Sequence, residues 1–339
     1  MYQVTIAIPV YNVEKYIKKA LLSALNQTFD SIEFLLIDDR GSDNSMAIAM
    51  DVAKNHQRGK DVRVIDHGVN IGLGGVRNTA IENAKGEYLY FLDSDDDITP
   101  DCISILYNRM IEYPVDFIAA SHNIIRSDGQ LKEQVVYENC IVEKNTFAVA
   151  KAYYMESRTL TTYAWNKLYN LNFLRNNDIK CIHMIYEDIF FTYNLILHAE
   201  SCQFISDVTY NYYEVDNSIM AKTRKSFSSK IAKQFDNIIS LKKEYSYKYI
   251  NSNFYPNLIK RIYMRYAIPF SITIYYSDLI DRTDKKIHID SILKYPTNFK
   301  KMVALRKSSH WMFYFLDKVP FSYSKIFLCR LFLKLTSDK

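Results

Sequence analysis

The sequence has few glycines and no paired cysteines. All eight glycines lie at or before Gly129, so tight turns that need glycine are confined to the N-terminal part of the 339-residue chain. The five cysteines are scattered, odd in number and free of any Cys-x-x-Cys spacing. This pattern argues against a disulfide framework and a cysteine metal site, and it fits a reducing compartment.

The sequence also lacks long apolar runs, and its first residues do not have the pattern expected of a leader. No stretch of about 20 uninterrupted apolar residues, the length that crosses a bilayer, occurs in the chain. Met1 leads directly into an apolar, strand-like segment rather than into a signal peptide. We therefore expect a cytoplasmic protein that contacts a membrane surface without crossing the membrane.

Charge is distributed unevenly along the chain. Residues 1–221 hold 19 Lys and Arg against 30 Asp and Glu, whereas residues 222–339 hold 24 against 8. The two parts carry −11 and +16, and the basic residues of the second cluster, for example at 222–225 and 306–307. Such a basic part indicates an anionic partner surface. We predict a catalytic domain over residues 1–220 and a helical, basic region over residues 221–339.

The first hundred residues alternate strand-like apolar runs with helical periods. A glycine-rich loop over residues 70–75 enters the third predicted helix, residues 76–84. This alternation is typical of an α/β fold with a doubly wound, mainly parallel sheet. The predicted strands are 4–10, 32–37, 62–65 and 88–92.

The fourth apolar run ends in a dense cluster of acidic residues. Tyr88 to Leu92 is followed at once by the sequence DSDDD, which begins at Asp93. Crowding this much like charge is unfavourable unless a cation compensates for it. Ligands of open α/β sheets lie beyond the carboxyl ends of the strands. We interpret Asp93 and Asp95 as a metal and nucleotide site, and Asp96 and Asp97 as helix-capping or solvated residues.

Six short motifs occur in order between residues 4 and 220: IPVYN (8–12), LLIDDRGSDNS (35–45), NIGLGGVRNTAI (70–81), GEYLYFLDSDD (86–96), WNKLY (165–169) and YED (186–188). Each motif is a weak signal alone. Together, with order and spacing kept, they resemble the GT-A glycosyltransferases, specifically the inverting family 2 that includes many bacterial polysaccharide enzymes. The resemblance implies a GT-A catalytic domain.

The resemblance also implies a nucleotide-sugar site at the strand ends. Asp95 and Asp93 would hold a divalent cation, Mn²⁺ or Mg²⁺, that bridges the phosphates of the donor. Judged by residue type alone, Asp39 fits a turn before Gly41 equally well, and Arg77 fits an exposed helix position. The further nucleotide contacts that the resemblance implies are Pro9, Tyr11, Asp39, Asn70 and Arg77.

Two further motifs are expected to contribute to catalysis and acceptor binding. The resemblance implies that Asp188 is the base that accepts the proton of the acceptor hydroxyl, with Glu187 as the competing choice. The same pair of acids suits the first turn of any helix. Trp165, Asn166 and Lys167 are expected at the rim of the acceptor or donor site, although Trp165 suits the core equally well.

These features predict a metal-dependent, inverting glycosyltransferase of the hexosyltransferase type. It would move a sugar from a nucleoside diphosphate sugar, UDP-linked, to a saccharide or lipid-linked acceptor in surface polysaccharide biosynthesis. The alternatives are an inactive sugar-nucleotide-binding or scaffold protein and a nucleotidyltransferase of the same fold class.

The basic C-terminal region has separate interpretations of its own. Its basic and aromatic residues predict contact with an anionic membrane surface, which would make the protein peripheral on the cytoplasmic face. An oligomer interface or a plain helical appendage is the alternative. No motif supports binding to nucleic acid.

Overall fold

The computed structural model describes residues 2–156, 158–215, 227–297, 299–304 and 308–337. The chain forms two compact units, Met1–Tyr153 with Thr159–Ser218, and Tyr154–Arg158 with Ile219–Lys339. The boundary predicted at residue 220 and the basic clusters at 222–225 and 306–307 lie outside the described residues.

One mixed sheet organises the described residues of the first unit. Its order is β3-β2-β1-β4-β9-β6-β10-β5, with β7 paired to β6 and β8 paired to β10. The pairs β1–β2, β1–β4 and β2–β3 are parallel, whereas β9 lies antiparallel between β4 and β6. The strands are β1 (Val4–Val10), β2 (Ile32–Asp38), β3 (Val62–Asp66), β4 (Tyr88–Phe91), β5 (Asp97–Ile98), β6 (Phe117–Ile125), β7 (Leu131–Val135), β8 (Cys140–Val142), β9 (Lys167–Asn170) and β10 (Cys202–Tyr213).

Helices connect these strands, and the α/β fold class predicted from the sequence is confirmed. The runs β1, β2 and β4 are almost wholly buried, as expected for central strands covered on both faces. The helices up to residue 198 are α1 (Ile17–Leu25), α2 (Ser45–Lys54), α3 (Gly72–Asn83), α4 (Cys102–Glu112), α5 (Ala148–Met155), α6 (Leu171–Asn176) and α7 (Glu187–His198).

A buried carboxylate joins the first strands to the segment before β4. Glu33 on β2 accepts a hydrogen bond from the Thr5 hydroxyl at 2.7 Å and from the Lys85 backbone N–H at 2.8 Å. Arg63 Nε on β3 donates to its other carboxylate oxygen at 2.7 Å. A charge in this buried position is tolerated because both oxygens are hydrogen-bonded and the arginine neutralises it.

The described residues of the second unit are helical, as predicted for the basic region. A π-helical turn, Tyr263–Ala267, joins α9 to α10 just before Pro269, which cannot donate the backbone hydrogen bond of a regular helix. No described helix is long and apolar enough to cross a bilayer. The helices are α8 (Ser229–Ser246), α9 (Tyr255–Ile262), α10 (Ile268–Tyr276), α11 (Arg282–Leu293), α12 (Phe299–Ala304), α13 (Ser308–Lys318) and α14 (Tyr323–Ser337).

Aromatic rings and a buried lysine hold these helices together. Phe235 on α8 stacks on Phe270 of α10, with ring centroids 3.7 Å apart. Tyr263 donates its hydroxyl hydrogen to the carbonyl oxygen of Leu293 at 3.0 Å. Lys243 Nζ donates to the carbonyl oxygen of Lys294 at 2.9 Å, and burial lowers the pKa of this lysine to about 7. The C-terminal end of α11 is thus hydrogen-bonded to α8 and to the π-helical turn.

Replacing the buried carboxylate tests its structural role. Glu33→Gln is expected to lower the free energy of unfolding by about 2–4 kcal/mol, because it leaves Arg63 without its charged partner and one backbone N–H poorly paired. Chemical denaturation followed by circular dichroism measures the change. Glu82→Gln, at an exposed position of α3, is the control and should change stability by no more than about 0.5 kcal/mol. Equal stabilities of the two variants would contradict the role of Glu33.

Candidate functional site

The carboxyl ends of four parallel strands meet at one edge of the sheet. They belong to β1, β2, β3 and β4. The residues that follow these strands are Tyr11, Asp39, His67 and the acidic segment, residues 93–97. The structure therefore brings these predicted and unpredicted polar residues to the edge where open α/β sheets bind ligands, which makes this edge the candidate site.

The last two acids of the acidic segment are buried and hydrogen-bonded to β10. Asp96 accepts from the Tyr210 hydroxyl at 2.7 Å and from the Tyr213 backbone N–H at 2.8 Å. Asp97 accepts from the Tyr213 hydroxyl at 2.9 Å and pairs with Lys19 Nζ at 2.5 Å. The interpretation of these two acids as helix-capping or solvated residues is therefore wrong. They fix the acidic segment to the sheet.

Arg77 joins the acidic segment to the start of α7. This buried guanidinium donates from Nη2 to Asp93 at 2.9 Å, and its Nη1 forms an ion pair with Glu187. Burial excludes the exposed helix position considered from the sequence. We call the three residues the arginine brace, because one cation holds two carboxylates that lie 94 residues apart in the chain.

Asp95 and Asp93 form the candidate metal site. Burial, and next the charge of Asp93, raise the pKa of Asp95 to about 6, so the ionised pair is electrostatically unfavourable by itself. Among the described residues there is no group of three or more His, Cys, Asp or Glu side chains that could hold a metal ion. Two carboxylates fit Mg²⁺ or Mn²⁺, which complete their coordination with water and substrate phosphate oxygens.

Glu187 and Asp188 occupy the first turn of α7, where the helix dipole favours negative charge. The turn is preceded by Tyr186 in a left-handed conformation, φ 64°. Asp188 is partly exposed, and burial of its carboxyl, followed by the charge of Glu187, raises its pKa to about 7. Unlike Glu187, Asp188 has no ion pair with a basic side chain among the described residues. Arg77 thus forms an ion pair with Glu187 and not with Asp188.

Gly74 lets α3 approach the segment before α7. A Cβ at this position would lie 2.3 Å from the Ile182 carbonyl oxygen and 3.2 Å from the Cβ of Glu187, so only glycine fits. The helix α3 begins at Gly72. The sequence prediction, which began this helix at residue 76 after a glycine-rich loop, is wrong at that end. The glycines form the first turn of the helix that carries Arg77.

Asp39 is buried, and its carboxylate is hydrogen-bonded to the start of α3. Its carboxylate accepts from the backbone N–H groups of Ile71 at 2.9 Å and Gly72 at 3.0 Å. His67 Nδ1 lies 2.9 Å from the same carboxylate, and the Asn70 side chain donates to the Asp39 carbonyl oxygen at 3.2 Å. The structure therefore brings together Asp39 and Asn70, both of them predicted nucleotide contacts, and it gives Asp39 a structural role. Contact of either residue with a base stays a prediction.

The predicted base-pocket residues lie at the end of β1. Pro9 is the penultimate residue of that strand, and Tyr11 follows it with an exposed ring. Asn12 turns the chain with φ 52° and accepts through Oδ1 from the Ser42 backbone N–H at 2.7 Å. A Cβ on Gly41 would lie 2.7 Å from the Asn12 nitrogen, so this glycine permits the contact between the two turns. Their role in base binding stays a prediction.

Trp165, Asn166 and Lys167, which were expected at a rim, are all buried. The Trp165 ring stacks on Tyr210, with centroids 4.4 Å and ring planes 10° apart. Lys167 Nζ donates to the Tyr163 carbonyl oxygen at 2.5 Å, and burial lowers the pKa of Lys167 to about 7. These side chains do not form an exposed rim, because their rings and polar groups are engaged inside the protein.

The Asn166 side chain uses all of its usual hydrogen-bonding capacity within the fold. The residue has φ 54°, a left-handed conformation that asparagine adopts more readily than most residues. Its amide forms hydrogen bonds to residues of β6, β4 and β10. Two of these strands adjoin the acidic segment, because β4 leads into it and β10 holds Asp96 and Asp97. The partners are the carbonyl oxygens of Ala120 and Ser121 and the hydroxyls of Tyr90 and Thr209.

Two residues of the site were missed by sequence reasoning. His67 follows β3 in the way that Asp39 follows β2, so its position after a strand was the signal that could have found it. Tyr210 holds Asp96 and accepts from the Asp93 backbone N–H at 3.3 Å. No local pattern marks Tyr210, because its partners lie more than one hundred residues earlier.

Comparison with known proteins identifies relatives for the first unit. The family model described as glycosyl transferase family 2 matches residues 5–172. A putative glycosyltransferase, EpsH of Bacillus subtilis, is 30% identical over 66% of this chain and 64% of that protein. A poly(ribitol-phosphate) beta-glucosyltransferase of Bacillus spizizenii is 32% identical over 62% of this chain and 32% of that protein. The chain spans less than two thirds of the length of either relative.

A solved structure extends the similarity to the whole chain. The crystal structure of S. aureus TarS 1-349 in complex with UDP-GlcNAc has a TM-score of 0.71 at 18% identity, covering 99% of this chain and 92% of that chain. A likeness at this identity shows the fold alone, and it confirms the predicted GT-A fold. Through residues 5–172, the chain belongs to glycosyl transferase family 2.

Proposed function

We propose that this protein is a metal-dependent, inverting glycosyltransferase that uses a UDP-sugar. The observation that carries the proposal is the arginine brace, which holds Asp93 of the acidic segment and Glu187 of α7 on one guanidinium. The brace links the candidate donor-binding acids to the candidate base. An inverting transfer needs both at once, because the acceptor hydroxyl attacks the anomeric carbon while the nucleotide diphosphate leaves.

Asp188 is the base in this proposal. Glu187 is paired with Arg77, whereas Asp188 has no ion pair among the described residues. Burial raises the pKa of both carboxyls, and the pKa of Asp188, which also lies beside the charge of Glu187, is raised to about 7. A carboxylate with a pKa near the working pH is a better proton acceptor than one of ordinary pKa. Asp188 would take the proton of the acceptor hydroxyl as its oxygen forms the new glycosidic bond.

Asp95 and Asp93 hold the divalent cation in this proposal. When bound, Mn²⁺ or Mg²⁺ would supply Lewis-acid stabilisation of the leaving diphosphate. Asp93 is held by Arg77, and Asp96 and Asp97 anchor the same segment to β10. The ligand oxygens are therefore positioned in advance, which lowers the reorganisation needed when the donor binds.

The donor and acceptor classes are supported by the relatives. The fold neighbour from S. aureus was determined with UDP-GlcNAc, which supports a UDP-sugar as donor. A relative is a poly(ribitol-phosphate) beta-glucosyltransferase, which supports a saccharide, polymer or lipid-linked acceptor of the cell surface. We propose that the protein works as a peripheral protein on the cytoplasmic face of the membrane, where such acceptors are made.

Asp188→Asn is expected to keep donor affinity and to lower kcat by at least about 10²-fold, since the amide cannot accept the proton. The measurement is sugar transfer together with UDP binding by calorimetry. Burial makes the ionised Asp188 carboxylate unfavourable above pH 7, so the substitution is not expected to lower the melting temperature there. Glu187→Gln is the matched comparison, and it should weaken UDP binding by disturbing Asp93 through Arg77. Retained transfer by Asp188→Asn would reject Asp188 as the base.

The pH dependence of transfer follows from the same carboxyl group. For the wild type, kcat/KM is expected to fall as the pH drops below about 7, because Asp188 becomes protonated and can no longer act as a base. Transfer by the weakly active Asp188→Asn variant should show no such step. A wild-type profile that is flat between pH 6 and pH 8 would contradict the assignment.

Asp95→Asn is expected to abolish the dependence of UDP binding on Mn²⁺ and to lower turnover by at least about 10²-fold. The measurements are UDP-sugar turnover and UDP affinity, each with added Mn²⁺, with Mg²⁺ and after EDTA. Asp51→Asn, at an exposed position of α2, is the control and should behave as the wild type. UDP binding that is indifferent to metal in the wild type would reject the metal role. Donor binding without transfer to any acceptor would favour an inactive binding protein.

A further inference from the structure

One face of α14 presents apolar side chains to solvent at helical spacing. Tyr323, Phe327 and Leu331 lie four residues apart and therefore on the same side of the helix. All three are exposed, with Phe327 54% accessible. Exposed apolar residues scattered singly are ordinary, but a row of them along one helix indicates a contact surface.

Basic residues share this face, and acidic ones do not. Arg330 and Lys334 are exposed and lie one turn apart on the same side as Leu331. The helix sequence, YSKIFLCRLFLKLTS, contains no acidic residue. The Arg330 guanidinium lies 4.4 Å from the ring centroid of Tyr276, an exposed residue of α10. We call Tyr276, Tyr323, Phe327, Arg330, Leu331 and Lys334 the α14 face.

The other side of α14 is fixed to the second unit. Ile326, Cys329 and Phe332 are buried on that side. Lys325 is also buried and pairs with Asp290 of α11 at 2.7 Å. A rotation of α14 that buries Phe327 would expose the apolar residues of this buried side and break the Lys325–Asp290 ion pair. The α14 face is therefore a stable outer surface of the unit.

The chemistry of the α14 face favours one kind of partner. Aromatic and aliphatic side chains mixed with Lys and Arg match the boundary between acyl chains and anionic headgroups. Pairing of this face with its own copy in a symmetric dimer would place four cations in one interface, and α14 has no acidic residue to pair with them. A soluble anionic polymer would use the two cations but leave the apolar row in water.

We propose that the α14 face docks onto anionic phospholipid, with the helix lying in the plane of the membrane surface. This deepens the peripheral placement proposed above, and it is independent of sugar transfer because it concerns the second unit alone. Phe327 and Leu331 enter the headgroup region, and Arg330 and Lys334 pair with lipid phosphates. The described helices contain no membrane-spanning segment, so the contact is interfacial.

Co-sedimentation of the full chain with vesicles tests the proposal. One set is phosphatidylcholine alone, and the other contains about one third phosphatidylglycerol, whose negative surface attracts basic residues. The wild type is expected to bind the anionic vesicles at least tenfold more tightly, and less so as salt is raised. The double variant Phe327→Glu with Leu331→Glu should lose at least tenfold in affinity. Ile111→Glu, at a 53% exposed helical position of the first unit, is the matched control and should bind as the wild type.

A second variant separates lipid from the other partners. Arg330→Gln with Lys334→Gln should weaken binding to anionic vesicles at least tenfold while leaving UDP binding unchanged. Wild-type protein that ignores anionic vesicles, or glutamate variants that bind them normally, would overturn the proposal. A wild-type dimer that the glutamate variant converts to monomer, without vesicle binding, would assign the face to self-association instead. Loss of transfer in the Asp188 variant with normal vesicle binding would leave this inference standing.

Discussion

The site depends on one buried guanidinium. Arg77 is the only basic side chain in the described ion pairs that reaches both the acidic segment after β4 and the start of α7. Without it, Asp93 and Glu187 would be two partly desolvated negative charges in a region that also contains Asp95, Asp96 and Asp188. Buried charges persist when a partner and hydrogen bonds compensate for them. The position of Arg77 is set in turn by Gly74, which lets α3 pack against the Ile182 backbone.

The carboxylates near the brace have different partners. Asp96 and Asp97 serve the fold through β10, and Glu187 serves it through Arg77. Burial raises the pKa of all four of the carboxyls Asp95, Asp96, Glu187 and Asp188, with that of Asp95 at about 6 and that of Asp188 at about 7. Asp96 is hydrogen-bonded to β10 and Glu187 is paired with Arg77, whereas Asp188 has no ion pair among the described residues. Groups that are held in an electrostatically unfavourable state frequently belong to functional sites, because a substrate, proton or cation relieves them. The same neighbours thus stabilise the scaffold and prepare the two acids that the proposed reaction uses.

Sequence reasoning predicts the parts of this fold that local pattern determines. The apolar runs predict β1 to β4 to within one residue at each end, because a central strand needs an unbroken apolar stretch. The residue types and motif order also single out Asp93, Asp95 and Asp188 as candidate site residues, and their roles in binding and catalysis stay predictions. The errors arise where the position of a residue depends on a partner far away in the sequence. The start of α3 is set by the Asp39 carboxylate, which accepts from the Gly72 backbone N–H. Tyr213 donates to Asp97, and four groups on three strands hold the Asn166 side chain. No short stretch of sequence around Asp39, Asp97 or Asn166 contains the partners that hold them.

The separation of these partners along the chain has a consequence for folding. Arg77 and Glu187 are 110 residues apart, and Asp96 and Tyr210 are 114 residues apart. Closing loops of this length costs chain entropy before the contacts compensate for it, so such long-range contacts slow folding. During synthesis, β1 to β4 and the acidic segment leave the ribosome well before α7 and β10. A nascent chain that ends after Asp97 but before Tyr210 contains the acidic segment without the two tyrosines that hold Asp96 and Asp97. The contacts that fix the acidic segment to β10 can therefore form only when the first unit is nearly complete.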